Sequence, residues 1–209
     1  MVSKSAESEH QLEYPEMIDV VFDLEGAVVP NYYPFFLWAE LVRCLPWLNI
    51  EEGIGVHPLR GSISGDTLLL SKRTKLILRL PITRVAQAEK LSGQSLNIEG
   101  NPLVVGKSRQ RELQAATTLH AYVVESAVSE VDFIESMKAK LEEMNIPCNL
   151  ICDKYREIIF DNQVVSGFGL VLHDLKLPAS LSIQRSGLGG ARHLGCGIFI
   201  PFKAISGLD

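Results

Sequence analysis

Gly187 to Gly197 reads GLGGARHLGCG, five glycines in eleven residues around one arginine and one histidine. Gly187-x-Gly189 and Gly195-x-Gly197 frame Arg192 and His193 symmetrically. Glycine allows positive φ and close backbone approach, so this spacing predicts a compact loop offering N–H groups and a cation. Such a loop suits a phosphate or an RNA backbone. The bland alternative is a tight solvent loop before an edge strand. The spacing is not a dinucleotide fingerprint: Arg192 stands where the third glycine is required, and a strand pattern follows. Gly106-Lys107-Ser108 is not a phosphate-binding P-loop, because Gly100 lies one residue too far upstream. Cys148-x3-Cys152 lacks the spacing of a structural metal site, so no metal and no cofactor is expected.

A second chemical signal is the distribution of charge. The 209 residues carry a net charge of -5, which taken alone argues against a nucleic-acid partner. By segment the picture differs. Residues 1–53 hold ten acids and two bases, whereas residues 54–111 hold three acids and ten bases. Those bases include Lys72, Arg73, Lys75, Arg79, Arg84, Lys107, Arg109 and Arg111. A basic middle in an acidic chain predicts a polyanion-binding face; a fluctuating solvated surface is the alternative.

These residues need elements to position them. With 46% hydrophobic residues the chain can build a core. Met17–Leu24 reads as a strand and residues 33–48 as a helix, with Pro34 in its first turn. Residues 53–61 are turn-rich. Residues 67–70 and 75–80 read as a hairpin joined by a basic turn, and Thr83 as the cap of a helix running to Leu91. Residues 96–105 read as strand, turn, strand, and 106–111 as a basic linker. In the second half, 119–124 is a strand and 130–145 a helix capped by Ser129. Residues 149–152, 157–160 and 164–172 are strands, 178–184 a short helix or turn, and 197–202 the last strand. The expected fold is α+β: two tandem ferredoxin-like βαββαβ domains, shared in plan with RNA-recognition modules. The expected boundaries are 1–16 for a flexible acidic tail, 17–106 for the first domain and 112–209 for the second. The first residues lack an apolar signal core, and no stretch reaches the roughly 18 apolar residues of a spanning helix. A soluble cytoplasmic protein is expected, with no membrane partner.

Two such halves, IGVHPLRG after the first helix and GLGGARHLGCGIFIPF at the end, resemble the repeat-associated RAMP proteins. In particular the chain resembles the short myxobacterial and cyanobacterial subtype of the sixth Cas family, the CRISPR repeat endoribonucleases. The resemblance covers roughly residues 17 to 205. It implies metal-independent cutting of precursor CRISPR RNA within repeat hairpins. The RNA 2′-hydroxyl attacks the scissile phosphate, leaving a 5′-hydroxyl and a 2′,3′-cyclic phosphate or derived 3′-phosphate.

The family's histidine position matches His57, and its tyrosine matches Tyr32 or Tyr33, either as proton donor or as phosphate ligand. The family's lysine role falls to Arg60, ahead of Lys72, a departure from the usual residue. The resemblance further implies RNA contacts from Lys72, Arg73, Lys75, Arg79, Arg84, Lys107, Arg109 and Arg111, and from Gly187, Gly189, Arg192, His193, Gly195 and Gly197. The implied partners are a repeat stem-loop, other CRISPR effector subunits and, in some systems, transposition proteins. The protein is expected to stay on the 3′ hairpin after cutting. An RNA-binding subunit without activity is the rival reading, and a protein-binding scaffold a third.

Overall fold

The computed structural model of the chain describes residues 16–203. Nearly all of the expected acidic tail, 1–16, lies outside them. Two antiparallel sheets form the frame. The first has five strands: β1 (Met17–Glu25), β3 (Gly55–Val56), β6 (Lys75–Pro81), β7 (Ser95–Ile98) and β8 (Asn101–Glu112). Their spatial order is β3-β6-β1-β8-β7. The second has β9 (Leu119–Glu125), β10 (Asn149–Phe160), β11 (Gln163–His173) and β12 (Phe199–Pro201), in the order β10-β11-β9-β12.

With helices α1 (Tyr33–Cys44), α2 (Val85–Ala88), α3 (Glu130–Glu143) and α4 (Leu177–Ser186), the second half runs strand, helix, strand, strand, helix, strand, and the first follows the same plan through β1, α1, β3, β6, α2 and β8, with β7 added at its edge. Taking the four framework strands of each half in chain order, both sheets read second, third, first, fourth. This is the ferredoxin-like plan, twice. Among the described residues no helix is long and apolar enough to cross a membrane.

Local chemistry explains the helices. α1 buries Tyr33, Leu37 and Leu41, four apart on one face, and stops before Pro46, which opens a separate 3-10 turn over Pro46–Asn49. The single helix expected over 33–48 is therefore two pieces. Ser129 caps α3 by accepting from the Asp132 N–H, while Phe133, Met137 and Leu141 face the second core. Thr83 caps nothing. It lies inside a 3-10 turn, and the helix starts two residues later without a side-chain cap.

Three further expectations need correction. The hairpin partner of β6 is the short β3, paired at Gly55↔Arg79 and Val56↔Leu78. Residues 67–69 instead form β5, which joins β2 (Val28–Pro30) and β4 (Ser62–Ser64) in a small separate sheet. The basic "linker" 106–111 is the distal half of β8, paired with β1 through Val21↔Arg109 and Asp19↔Arg111. The two pieces read over 149–160 are one strand, with a register irregularity between Cys152 and Tyr155.

The two cores are separate, one under each sheet. In β1, Ile18, Val20 and Phe22 enter the first core, so alternation puts Asp19, Val21 and Asp23 on the opposite face. Asp19 and Val21 are nevertheless buried. That second face is where the C-terminal half docks.

Candidate active site

Asp19 is the centre of a polar knot in the seam between the halves. Cross-strand pairing puts Arg79 on one side of it and Arg111 on the other. Arg79 Nε donates to Oδ1 at 2.8 Å and its Nη2 to Oδ2 at 3.2 Å. Arg111 Nη2 donates to Oδ2 at 2.8 Å, and His57 Nε2 lies 3.3 Å from Oδ1. Arg79 is 1% exposed. Its remaining nitrogen, Nη1, donates to the carbonyls of Gln184 and Phe199, at 3.1 and 2.7 Å, in the other half.

Burial alone would raise the Asp19 carboxyl, but hydrogen bonds from His57 and Arg79 overcome it and hold it well below the usual range. An ionised carboxylate only accepts, so His57 Nε2 carries the hydrogen and Nδ1 keeps the lone pair of the neutral ring. Burial pushes His57 down to about 4 against the opposing Asp19 hydrogen bond, with the Arg79 charge adding to the fall.

The folded protein thus holds His57 neutral where the unfolded chain protonates it. Stability is at its full value above about pH 6.5 and declines as pH falls toward about 4. At ~1.4 kcal/mol per pKa unit the loss is about 3 kcal/mol. Urea midpoints measured between pH 7 and pH 4 should show this slope in wild type, and His57→Gln should lack it.

Of the four residues expected to form a catalytic group, two come together. Tyr33 is buried, and its hydroxyl accepts from the Leu59 N–H at 2.8 Å, fixing the backbone just beyond His57. Burial raises the Tyr33 phenol. Tyr33, His57, Pro58 and His193 line a small cavity of about 10 Å³. Tyr32 belongs elsewhere. Its ring stacks on Phe160 at 5.1 Å and its hydroxyl donates to Glu99 at 3.3 Å. Arg60 is exposed, and its carbonyl accepts from Thr74 Oγ1 at 2.7 Å. Neither Tyr32 nor Arg60 lines the cavity beside His57.

The glycine loop has the backbone its composition predicts. Gly187, Gly189, Gly195 and Gly197 take φ of +68, +76, +96 and +62°. Its arginine does not point outward as expected. Arg192 is wrapped by the loop: a Cβ on Gly187 would strike its guanidinium. Burial and the charge of Arg79 push Arg192 down to about 10. Its three guanidinium nitrogens are buried and have no hydrogen-bond partner among the described residues.

Gly195 packs against Pro58 and Ile198 against Gly55, so the glycine loop and the residue after it cover the segment that carries His57. His193 is half-buried and packs tilted against Trp38, ring centroids 5.0 Å apart and planes 53° apart. Beyond it opens a cleft of about 340 Å³, lined by Trp38, Asn49, Glu51, Gly190, Arg192 and His193 among others.

The basic residues divide. Arg79, expected on RNA, is interior and satisfied. Arg84 donates to Glu51 at 2.6 Å and lies over the Trp47 ring. Lys72 and Arg73 stand exposed in the turn before β6. Lys75 bridges Asp23 at 2.9 Å and, with the nearby charges of Arg109 and Lys107, lowers that carboxyl. Lys75, Lys107, Arg109 and the half-exposed Arg111 thus share the face of the first sheet opposite its core, a positive stripe.

His120 packs tilted against Phe202, ring centroids 5.2 Å apart, and His173 Nδ1 lies 2.8 Å from Asp174 Oδ2. Among the described residues no three His, Cys, Asp or Glu side chains are grouped to hold a metal ion, and all four cysteines are free thiols.

Sequence reasoning missed Asp19 and Trp38. The signal for Asp19 was a carboxylate at a mid-strand position of MIDVVFDL, where burial on both faces demands a cationic partner. Trp38 carried no signal apart from its place on a helix.

The model of the Cas6 CRISPR family matches residues 18–204. The CRISPR-associated endonuclease Cas6 of Myxococcus xanthus (strain DK1622) is 33% identical over 186 residues, 88% of this chain and 81% of that relative. A solved Cas6-related protein from Pyrococcus furiosus superposes with a TM-score of 0.64 at 13% identity, covering 88% of this chain and 97% of its own. A solved RAMP protein described as binding different RNA substrates gives 0.64 at 11% identity, over 89% of this chain and all of its own. At these identities the solved structures speak to the fold alone.

Proposed function

Because the chain belongs to the Cas6 family of CRISPR proteins, we propose that it is an endoribonuclease that cuts precursor CRISPR RNA within repeat hairpins. The chemistry is attack by the RNA 2′-hydroxyl on the adjacent phosphate, without a metal ion. It needs a proton acceptor, a proton donor for the leaving 5′-oxygen, and positive charge near the phosphorus. The observation that carries this reading is the meeting of two distant segments. The glycine loop closes on the His57–Pro58 segment just after β3 and sets two imidazoles at one seam, beside a cleft large enough for a nucleotide.

The stripe of Lys75, Lys107, Arg109 and Arg111 supplies sequence-independent phosphate contacts, which hold the hairpin in register. After the cut the protein stays on the 3′ hairpin, in the cytoplasm, as part of an effector complex in a defence or transposon-associated system.

The test is single-turnover cleavage of repeat RNA in excess EDTA. Wild type should cut, and RNA carrying a 2′-deoxy nucleotide at the cleavage position should bind and remain whole. Cutting of the deoxy substrate would refute the 2′-hydroxyl mechanism. The burial of His57, 7% exposed, favours one rival: an RNA-binding subunit without activity. It predicts tight binding and no cutting by wild type.

A further inference from the structure

Resting on the endoribonuclease reading, we propose that His193, not His57, is the catalytic histidine that meets the RNA, and that it takes the proton from the attacking 2′-hydroxyl. His57 is poorly placed for that contact. Its Nε2 is committed to Asp19, and the space on its open side is about 10 Å³, roughly the room of one water. A phosphodiester does not enter such a space. His193 forms a wall of that cavity and also a wall of the 340 Å³ cleft, where a nucleotide fits. It is therefore the imidazole at the seam that lies within reach of both His57 and RNA.

The surroundings suit the role. Trp38 holds one side of the ring and gives the cleft an aromatic surface on which a base can stack. Four glycines at positive φ let the loop take its tight path, and backbone bonds tie it down: the Gly197 N–H donates to the Val123 carbonyl at 2.7 Å and the Gly195 N–H to the Arg192 carbonyl at 3.1 Å. Partial burial lowers the His193 imidazole, opposed by Glu125, so the neutral ring with a free lone pair prevails near pH 7. Arg192, next in the chain, contributes to the cleft wall, while its guanidinium stays wrapped within the loop behind His193. Glu51 across the cleft is engaged by Arg84, which tempers its negative charge.

In the step, the His193 ring nitrogen accepts the 2′-hydroxyl proton as the O2′–P bond forms. The P–O5′ bond breaks, and the leaving 5′-oxygen takes a proton from water. A 2′,3′-cyclic phosphate and a 5′-hydroxyl result, with His193 protonated until it returns its proton to solvent.

The experiment compares wild type, His193→Ala and His193→Gln in single-turnover cleavage of repeat RNA, with binding measured alongside. The expected result for both variants is cutting at least ~100-fold slower, with affinity within about threefold of wild type. Added imidazole should restore part of the His193→Ala rate, which loss of a packing role would not allow. Cutting by His193→Ala within threefold of wild type would overturn the assignment. So would a slow variant that imidazole fails to help. Wild type that binds repeat RNA and never cuts it would overturn the endoribonuclease reading itself, and the role of His193 with it.

Discussion

Asp19→Ala is expected to cost about 3–5 kcal/mol of stability, the range for removing one partner of a buried ion pair. Arg79 would keep its charge at 1% exposure, with carbonyl partners but no anion. Arg111, half-exposed, would turn to solvent; Arg79 has nowhere to turn. For a chain of this size the loss corresponds to a melting temperature lower by roughly 6–20 °C, and thermal unfolding checks it. The cause separates from mere cavity formation in a second variant. Asp19→Ala combined with Arg79→Met removes the stranded charge and should recover most of the loss. A single variant within 1 kcal/mol of wild type would show that the knot contributes little.

The second large effect is expected at Gly197. Its φ of +62° already disfavours any Cβ, at about 1–2 kcal/mol. A Cβ would also collide with the Leu188 carbonyl, which is backbone and cannot rotate aside. Gly197→Ala should therefore cost 2 kcal/mol or more, by the same ~1–2 kcal/mol strain plus displacement of the loop. It should slow RNA cutting at least tenfold, because His193 moves with that loop. Gly93→Ala is the comparison. Its φ is +85°, but nothing lies within 4 Å of an added Cβ, so strain acts alone and cutting stays near wild type. Equal behaviour of the two variants in cleavage and unfolding would show that the collision does not matter.

What could be read from the residues follows a physical line. Ser129 and the Phe133, Met137 and Leu141 stripe carry their information within a few positions, and the helix they predict is there. The four glycines announced their positive φ by composition alone. Legibility failed where the deciding partner is remote. β3 is two residues long, too short to show any period, so local pattern points to 67–70 instead as the partner of β6. The distal part of β8, KSRQRE, has no apolar alternation, because it is held by backbone pairing to β1 and by Arg111 on Asp19 rather than by a core. Arg79 looked like a surface cation for the same reason. Its neutralising carboxylate is 60 positions away, and its carbonyl partners are 105 and 120 positions away. The family resemblance points to His57, which the structure places, buried beside Asp19, in the seam between the halves. The burial of that place depends on the C-terminal loop, which no local pattern near His57 reveals.

The separation between Arg79 and Phe199 also sets a clock for synthesis. A ribosome adding about 5–20 residues per second needs on the order of ten seconds to travel from one to the other. Throughout that interval the nascent first half holds an arginine whose last hydrogen bonds do not yet exist, on a sheet face awaiting its cover. The seam and the cleft draw residues from both halves, so neither can be complete before the segment up to Phe199 is made. A growing chain therefore carries the basic strands β6 and β8 well before the seam that buries Arg79 can close.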